Sequence, residues 1–209
     1  MSDPFNVDFN IGIFGEGRVG KTCLIKRFVD GGFDEDELSG INAETFEKSI
    51  NIDKTVVNLT IYDLPGQDTY HSLAKNYMKG LHGVILVYDI ITKGSYEKIN
   101  YWYEQLEKAF KADNLDINKV PFLLIGNKYD LEEKRVIKEE DGLNFVKDKK
   151  HMIFYECSAK SGHNVEIAIN ELAANILKSQ KENQKPNEEQ IPENKENKET
   201  KKKKKCYLF

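Results

Sequence analysis

The stretch GEGRVGKT, residues 15–22, follows a short apolar run at 9–14 and leads into an amphipathic segment at 21–29. It therefore lies in the turn between a buried strand and a helix. Its spacing fits G-x-x-x-x-G-K-[ST], a loop whose glycines let main-chain N–H groups wrap a chain of phosphates. A glycine-rich turn without a ligand is the alternative. The predicted phosphate loop consists of Gly15, Glu16, Gly17, Arg18, Val19, Gly20, Lys21 and Thr22.

Side chains in and beyond this loop suit a triphosphate bound with Mg²⁺. Lys21 is positioned to reach the β- and γ-phosphates, and the Thr22 hydroxyl is a predicted Mg²⁺ ligand. Cys23, the next residue, is counted among the predicted nucleotide-binding residues. It is also interpreted as a small core residue. Asp63 ends a β-rich run, where an acid can hold Mg²⁺ through a water. The Gly66 amide can face the γ-phosphate, although its D-x-x-G pattern is weak when taken alone.

The rest of the first 180 residues alternates between strand and helix patterns. Apolar strands separated by helices predict an α/β fold, with a mostly parallel sheet covered on both faces. The dipeptide Asp53-Lys54 joins two β-rich runs, so it predicts a hairpin that adds an antiparallel edge strand. Strands are predicted at 9–14, 45–52, 55–62, 83–89, 121–127 and 153–157, and helices at 21–29, 95–112, 138–149 and 164–180.

Two further motifs follow the last two predicted strands and indicate recognition of guanine. The carboxylate of Asp130 accepts hydrogen bonds only, and guanine presents two adjacent donors where adenine does not. A buried acid left unpaired by the wrong base would make this discrimination large. The main-chain N–H of Ala159 is a candidate donor to the guanine O6. The base-reading residues are Asn127, Lys128 and Asp130 of the first motif, and Ser158, Ala159 and Lys160 of the second.

This combination of motifs resembles the Ras superfamily of small GTPases. The segments NYMKGLHGVILVYDI, SYEKINYWYEQL, FLLIGNKYDL and ECSAK are most similar to its Rab branch. The resemblance implies a three-layer phosphate-loop NTPase fold with six strands and five helices. It implies a monomeric GTP/GDP switch with Mg²⁺, read by effectors and controlled by an exchange factor and a GTPase-activating protein. It also implies that Gln67 orients the attacking water, that Lys21 assists catalysis, and that Phe33 packs on the guanine ring. The alternative for Phe33 is a loop aromatic that covers the core.

Two positions depart from the family pattern. The first switch loop carries Gly40 where the family has a threonine that binds Mg²⁺, and the neighbouring Ser39 is the substitute ligand. Pro65 occupies the start of the second switch and lacks an N–H. We therefore expect slow or atypical hydrolysis. A nucleotide-loaded scaffold with little hydrolysis is the alternative function.

The last residues, 181–209, predict a disordered tether that ends in a lipid anchor. The tether is almost wholly polar, and its final four residues, CYLF, fit a prenylation motif at Cys206. The body carries no predicted signal peptide or membrane span, so we expect a lipid-anchored protein on the cytoplasmic face of a membrane. A solvated basic tail is the alternative. The predicted contacts with an anionic membrane are Lys201, Lys202, Lys203, Lys204 and Lys205.

Composition and residue spacing argue against several other classes of protein. Three widely spaced cysteines do not predict a disulfide framework, and the scattered histidines do not predict a zinc site. No aromatic residue lies between the lysines of the basic block at 201–205, so we expect no nucleic-acid partner. Another phosphate-loop enzyme, such as a nucleotide kinase or ATPase, is a third alternative that the guanine-type motif at 127–130 disfavours.

Overall fold

The computed structural model describes residues 5–34, 43–64, 78 and 80–183. Six strands form the sheet: β1 (Phe5–Phe14), β2 (Glu44–Ile52), β3 (Thr55–Asp63), β4 (Gly83–Asp89), β5 (Phe122–Asn127) and β6 (Met152–Glu156). The α-helices of the described residues are α1 (Lys21–Asp30), α2 (Lys93–Glu97), α3 (Ile99–Ala112), α4 (Glu139–Val146) and α5 (Val165–Asn183). Short 3₁₀ helices lie at Ile117–Lys119 and Tyr129–Lys134.

The sheet has the order β2-β3-β1-β4-β5-β6 and is parallel except for the β2–β3 pair. This confirms the predicted α/β architecture with its antiparallel edge. The hairpin turns at Asp53, whose φ of 54° lies in the left-handed region that aspartate tolerates in tight turns. Because the other five strands run in one direction, their carboxyl ends meet at a single edge of the sheet.

Two apolar layers cover the sheet. Helices α1 and α5 pack on one face through side chains such as Leu24, Phe28 and Leu172. Helix α3 packs on the other face through residues at helical spacing, among them Trp102 and Leu106. Strands β4 and β5 are buried along their whole length, as expected for central parallel strands covered on both sides.

Several element boundaries differ from the sequence prediction. The helix predicted at 95–112 is divided at Lys98 into α2 and α3, and α4 is shorter than the predicted 138–149. Strand β1 begins four residues before the predicted start, because Asp8 and its neighbours pair with β3 while the Asp8 side chain accepts from Asn58 at 2.8 Å. Helix α5 continues to Asn183, three residues beyond the predicted domain boundary at 180. Among the described residues, no helix combines the length and apolarity needed to cross a membrane.

Candidate nucleotide-binding site

The predicted motifs that lie in the described part of the chain meet at the carboxyl edge of the sheet. The phosphate loop follows β1, Asp63 ends β3, Asn127 ends β5, and Ser158 follows β6. These elements are far apart in sequence, but their strands belong to one sheet and end at the same edge. The sheet topology therefore brings the phosphate-type and base-type motifs to one place.

Two glycines allow the phosphate loop to adopt its path. Gly15 has φ 148°, and a Cβ there would lie 2.2 Å from the Val87 carbonyl oxygen of β4. Gly20 has φ 92°, and a Cβ there would lie 2.4 Å from the Asn127 side-chain nitrogen. A larger residue at either position would collide with its neighbour. At Gly17, in contrast, a Cβ would meet no atom within 4 Å, so this position faces open space.

Lys21 lies under the loop with 7% of its surface exposed. Its ammonium group donates hydrogen bonds to the carbonyl oxygens of Gly15 and Glu16, both at 2.9 Å. Burial lowers the pKa of Lys21 to about 8, and the nearby carboxylates of Asp63 and Glu16 only partly oppose this effect. Within the described part of the chain, no carboxylate forms an ion pair with this cation, and a phosphate would supply the missing anion.

The two predicted Mg²⁺ ligands of the described residues contact each other. The Thr22 hydroxyl donates a short hydrogen bond to a carboxylate oxygen of the buried Asp63. Mg²⁺ prefers oxygen ligands and commonly takes only one or two from protein, with phosphates and water completing its shell. The residues fit such an ion. The described residues also contain no group of three or more His, Cys, Asp or Glu side chains that could hold a metal by themselves.

Asn127 connects the phosphate loop to the base-type motifs. Its side chain is 2% exposed and donates to the Val19 carbonyl at 2.8 Å. Its side-chain oxygen accepts from the Ala159 N–H at 3.2 Å. One buried amide therefore ties together three segments that follow three different strands. The Ala159 N–H, predicted to face the guanine O6, is engaged by this amide in the structure.

Asp130 lies in the 3₁₀ helix after β5 and is exposed, so the burial on which the predicted discrimination depends would have to come from the bound base. One of its oxygens accepts from the hydroxyl of the fully buried Ser158 at 2.6 Å. The Ser158 oxygen in turn accepts from the Ser161 N–H at 3.0 Å. This chain orients the carboxylate while leaving its outer side open to a ligand.

Lys128 has a partner that the sequence did not reveal. It takes the left-handed backbone conformation at φ 68°, and its ammonium group donates to Asp89 at 2.8 Å. Asp89 is 3% exposed, ends β4, and also accepts from the Ile91 N–H and the Thr92 hydroxyl. The sequence contained one signal for this pair: Asp89 is an acid at the end of β4, and β4 ends at the same edge of the sheet as β5.

Other side chains hold the base-type segments in place without belonging to a recognised motif. Arg135 donates two hydrogen bonds, at 2.5 and 2.8 Å, to the buried carboxylate of Glu156. The rings of Tyr129 and His163 are stacked with centroids 4.6 Å apart, which joins the loop after β5 to the loop after β6. These contacts depend on residues separated by 21 or more positions, so local sequence patterns could not predict them.

Some of the remaining predicted site residues lie in the part of the chain that the structure describes, and others lie outside it. Arg18 and Lys160 are exposed, Cys23 is half-buried, and Phe33 is 36% exposed at the surface instead of covering the core. Burial raises the pKa of Cys157 to about 12, so this thiol stays protonated within the core. Outside the described residues lie Ser39, Gly40, Pro65, Gly66, Gln67, Cys206 and the five lysines before it.

Comparison with known proteins identifies the family. The sequence model of the Ras family matches residues 10–178, which is most of the chain. The chain belongs to the Ras family. It is also 34% identical over 175 residues to the Ras-related protein Rab-26 of Rattus norvegicus, a match that covers 83% of this chain and 65% of that protein. The chain thus spans less than two thirds of the length of the relative that it matches.

Proposed function

We propose that this Rab-like GTPase is a membrane-attached switch that binds GTP or GDP with Mg²⁺ at the carboxyl edge of its sheet. The observation that carries the proposal is the buried Asn127 amide, which joins the phosphate loop to the segment of Ala159. A ligand that has phosphates at one end and a base at the other fits a site assembled in this way. Resemblance to the Rab branch supports a role in vesicle trafficking or signalling at membranes.

At the phosphate end, the proposed roles follow from charge and geometry. Lys21 neutralises the β- and γ-phosphates, while Thr22 and Asp63 hold Mg²⁺, the latter through a water. When bound, the metal ion neutralises charge that develops on the phosphate oxygens during transfer. The catalytic roles of Lys21 and Gln67, and the Gly66 amide contact, rest on the family pattern.

At the base end, Asp130 accepts from the two guanine donors while Ser158 holds its other oxygen. Lys128, fixed by Asp89, presents its aliphatic stem beside the ring. The peptide groups of Ala159 and Lys160 face the O6 side of the base. Phe33, already at the surface, closes over the ring from the first switch loop.

Competition between nucleotides tests this proposal. Purified chain is loaded with a fluorescent GDP, and its displacement by GTP, GDP and ATP is measured with Mg²⁺ present. We expect GTP and GDP to displace the probe at least about 10⁴-fold more effectively than ATP, because the acceptor-only carboxylate rejects adenine. Equal displacement by ATP would contradict the proposal and favour another phosphate-loop enzyme.

Substitution of Gly40 by threonine tests the proposal of slow hydrolysis. The added hydroxyl would restore the Mg²⁺ ligand that the family places there, so we expect single-turnover GTP hydrolysis to rise by about tenfold and to need less Mg²⁺. Phosphate release is measured over hours, with Gly40→Ala as the control that adds a Cβ without an oxygen. A rate and Mg²⁺ dependence shared by all three proteins would show that the glycine is harmless.

The same phosphate-release assay distinguishes a GTP-hydrolysing switch from the alternative function, a nucleotide-loaded scaffold. A protein that stays GTP-loaded for hours, with and without a GTPase-activating protein, would recruit partners constitutively. The motif departures at Gly40 and Pro65 favour this second candidate.

Substitution of Cys206 by serine tests the membrane anchor. The proposed prenyl group is the larger of the two membrane-attachment signals, and the serine variant lacks it. The remaining signal is the attraction of five lysines to anionic lipids, which contributes roughly 1 kcal/mol each and is weakened by salt screening. We expect the tagged protein to move from membranes to the soluble fraction in cells. Replacement of the five lysines by glutamine should give a partial shift. Unchanged membrane localisation of Cys206→Ser would contradict lipidation at this residue.

A further inference from the structure

Arg27 occupies the last turn of α1 and uses all three guanidinium nitrogens to bind main-chain carbonyl oxygens. Its Nε donates to Ala159 at 2.7 Å, and one terminal nitrogen donates to Lys160 at 2.6 Å. The other terminal nitrogen donates to Gly31 at 2.5 Å. The guanidinium thus bridges two separate loops, one after β6 and one after α1.

The first loop is the base-reading segment of Ala159 and Lys160. A carbonyl and the N–H of the following residue share one planar peptide group, so a bond to the Ala159 oxygen also sets the direction of the Lys160 N–H. The Asn127 side-chain oxygen accepts from the Ala159 N–H, which belongs to the preceding peptide group. The two successive peptide groups proposed to face the base are therefore held, one by Asn127 and the next by Arg27.

The second loop is the point where the chain leaves α1 for the first switch loop. Gly31 caps the helix with φ 71°, and its N–H donates to the Arg27 carbonyl at 3.1 Å. Gly31 precedes Phe33, the residue proposed to close over the guanine ring, by two positions. Arg27 thus binds Gly31 through both its main chain and its side chain.

Only arginine suits this position. Its planar fork presents several donors in fixed directions, while a lysine ammonium is a compact charge on a flexible stem. The three carbonyl oxygens that Arg27 binds, two in one loop and one in the other, match the fixed directions of these donors. Its aliphatic part packs beside Gly162, where an added Cβ would lie 3.7 Å from the Arg27 Cδ.

We propose that Arg27 is a positioning residue that couples the base-reading segment to the start of the first switch loop and thereby slows nucleotide release. This inference rests on the proposed placement of the base and of Phe33. Displacement of either loop breaks its own hydrogen bonds to the guanidinium and removes a restraint on the side chain that binds the other loop. Opening on one side of the base therefore favours opening on the other side.

The test compares the full chain with Arg27→Lys, both loaded with fluorescent GDP. We expect about tenfold faster GDP release from Arg27→Lys, the change produced by losing one charge-assisted hydrogen bond. Amide hydrogen exchange should rise at 31–34 and at 158–164 together, while β5 keeps its protection. Arg27→Gln, measured in the same way, serves if the lysine variant does not fold.

The matched control is Arg135→Lys, which loses an arginine fork bound to Glu156 instead of to the two loops. It should leave exchange at 31–34 unchanged. The proposal is overturned if Arg27→Lys and Arg27→Gln release GDP at the wild-type rate, if exchange rises in only one of the two loops, or if Arg135→Lys produces the same joint rise. Failure of the wild-type chain to bind GDP would instead contradict the proposed function.

Discussion

Replacement of Asp130 by asparagine is expected to lower the affinity for GDP by about 10⁴-fold and to raise the affinity for the xanthine nucleotide XDP. The Ser158 hydroxyl donates to one Asp130 oxygen at 2.6 Å, and it can donate equally to the oxygen of an asparagine amide. That bond would turn the amide nitrogen, a donor, toward the base. A donor opposes the exocyclic amine of guanine and matches the carbonyl oxygen that xanthine carries at the same ring position.

Competition of GDP and XDP against a fluorescent probe measures the change in preference. Glu132→Gln is the matched control, because it removes an exposed acid from the same 3₁₀ helix, where Glu132 forms a 3.6 Å ion pair with Arg135. We expect that control to keep guanine preference. A double variant, Asp130→Asn with Ser158→Ala, should lose much of the gain for XDP because the amide is no longer oriented. Retention of guanine preference in Asp130→Asn would refute the assignment of Asp130 as the base-reading acid.

The fold was predictable because its signals are local. Apolar runs separated by amphipathic segments predicted the parallel sheet, and the dipeptide after β2 predicted the antiparallel edge. The errors lie where tertiary contacts override a pattern. Polar residues at the start of β1 concealed four residues of strand, since Asp8 pairs with β3 and its side chain stays at the surface near Asn58. Lys98 interrupts a helix that looks continuous by spacing alone.

The candidate site was predictable only to the extent of its motifs. Glycine and lysine spacing predicted the phosphate loop, and the structure places that loop beside Asp63 and Asn127. The side chains that hold the motif residues were missed, as Asp89 with Lys128 and Arg27 with Ala159 demonstrate. Such pairs are separated by tens of residues or more and follow no spacing rule. For Asp89 the one sequence signal was its place at the end of β4, whereas nothing in the sequence around Arg27 points to Ala159.

Replacement of Lys21 by methionine is expected to separate nucleotide binding from folding. The ammonium is buried and donates to two loop carbonyls, and its pKa is lowered to about 8 by burial. Without nucleotide, methionine removes a charge that is costly to bury, so the variant should be as stable as the wild type or more stable by up to about 3 kcal/mol at pH 7. With nucleotide, the phosphates lose their buried cation. We therefore expect GDP affinity to fall by about 10²- to 10³-fold.

The pH dependence of binding follows from the same lowered pKa. In the unfolded chain lysine titrates at its ordinary value of 10.5, so the stability of the nucleotide-free protein should rise as pH increases from about 8 toward 10.5. Binding has the opposite sign, because phosphates need the protonated lysine and restore its charge. Above pH 8 the free protein must take up a proton to bind, and GDP affinity should fall by about tenfold between pH 7 and pH 9.

Calorimetric titration of GDP in buffers of different ionisation enthalpy measures that proton uptake directly. Lys21→Met corrects for ionisation of the nucleotide itself, since its residual binding lacks the lysine contribution. The difference between the two proteins should approach one proton at pH 9 and vanish at pH 6.5. An identical uptake in both proteins, or a methionine variant that binds GDP as tightly as the wild type, would show that Lys21 does not face the phosphates. Combined with an unchanged or raised melting temperature of the nucleotide-free variant, the expected result would assign the lysine to binding and not to folding.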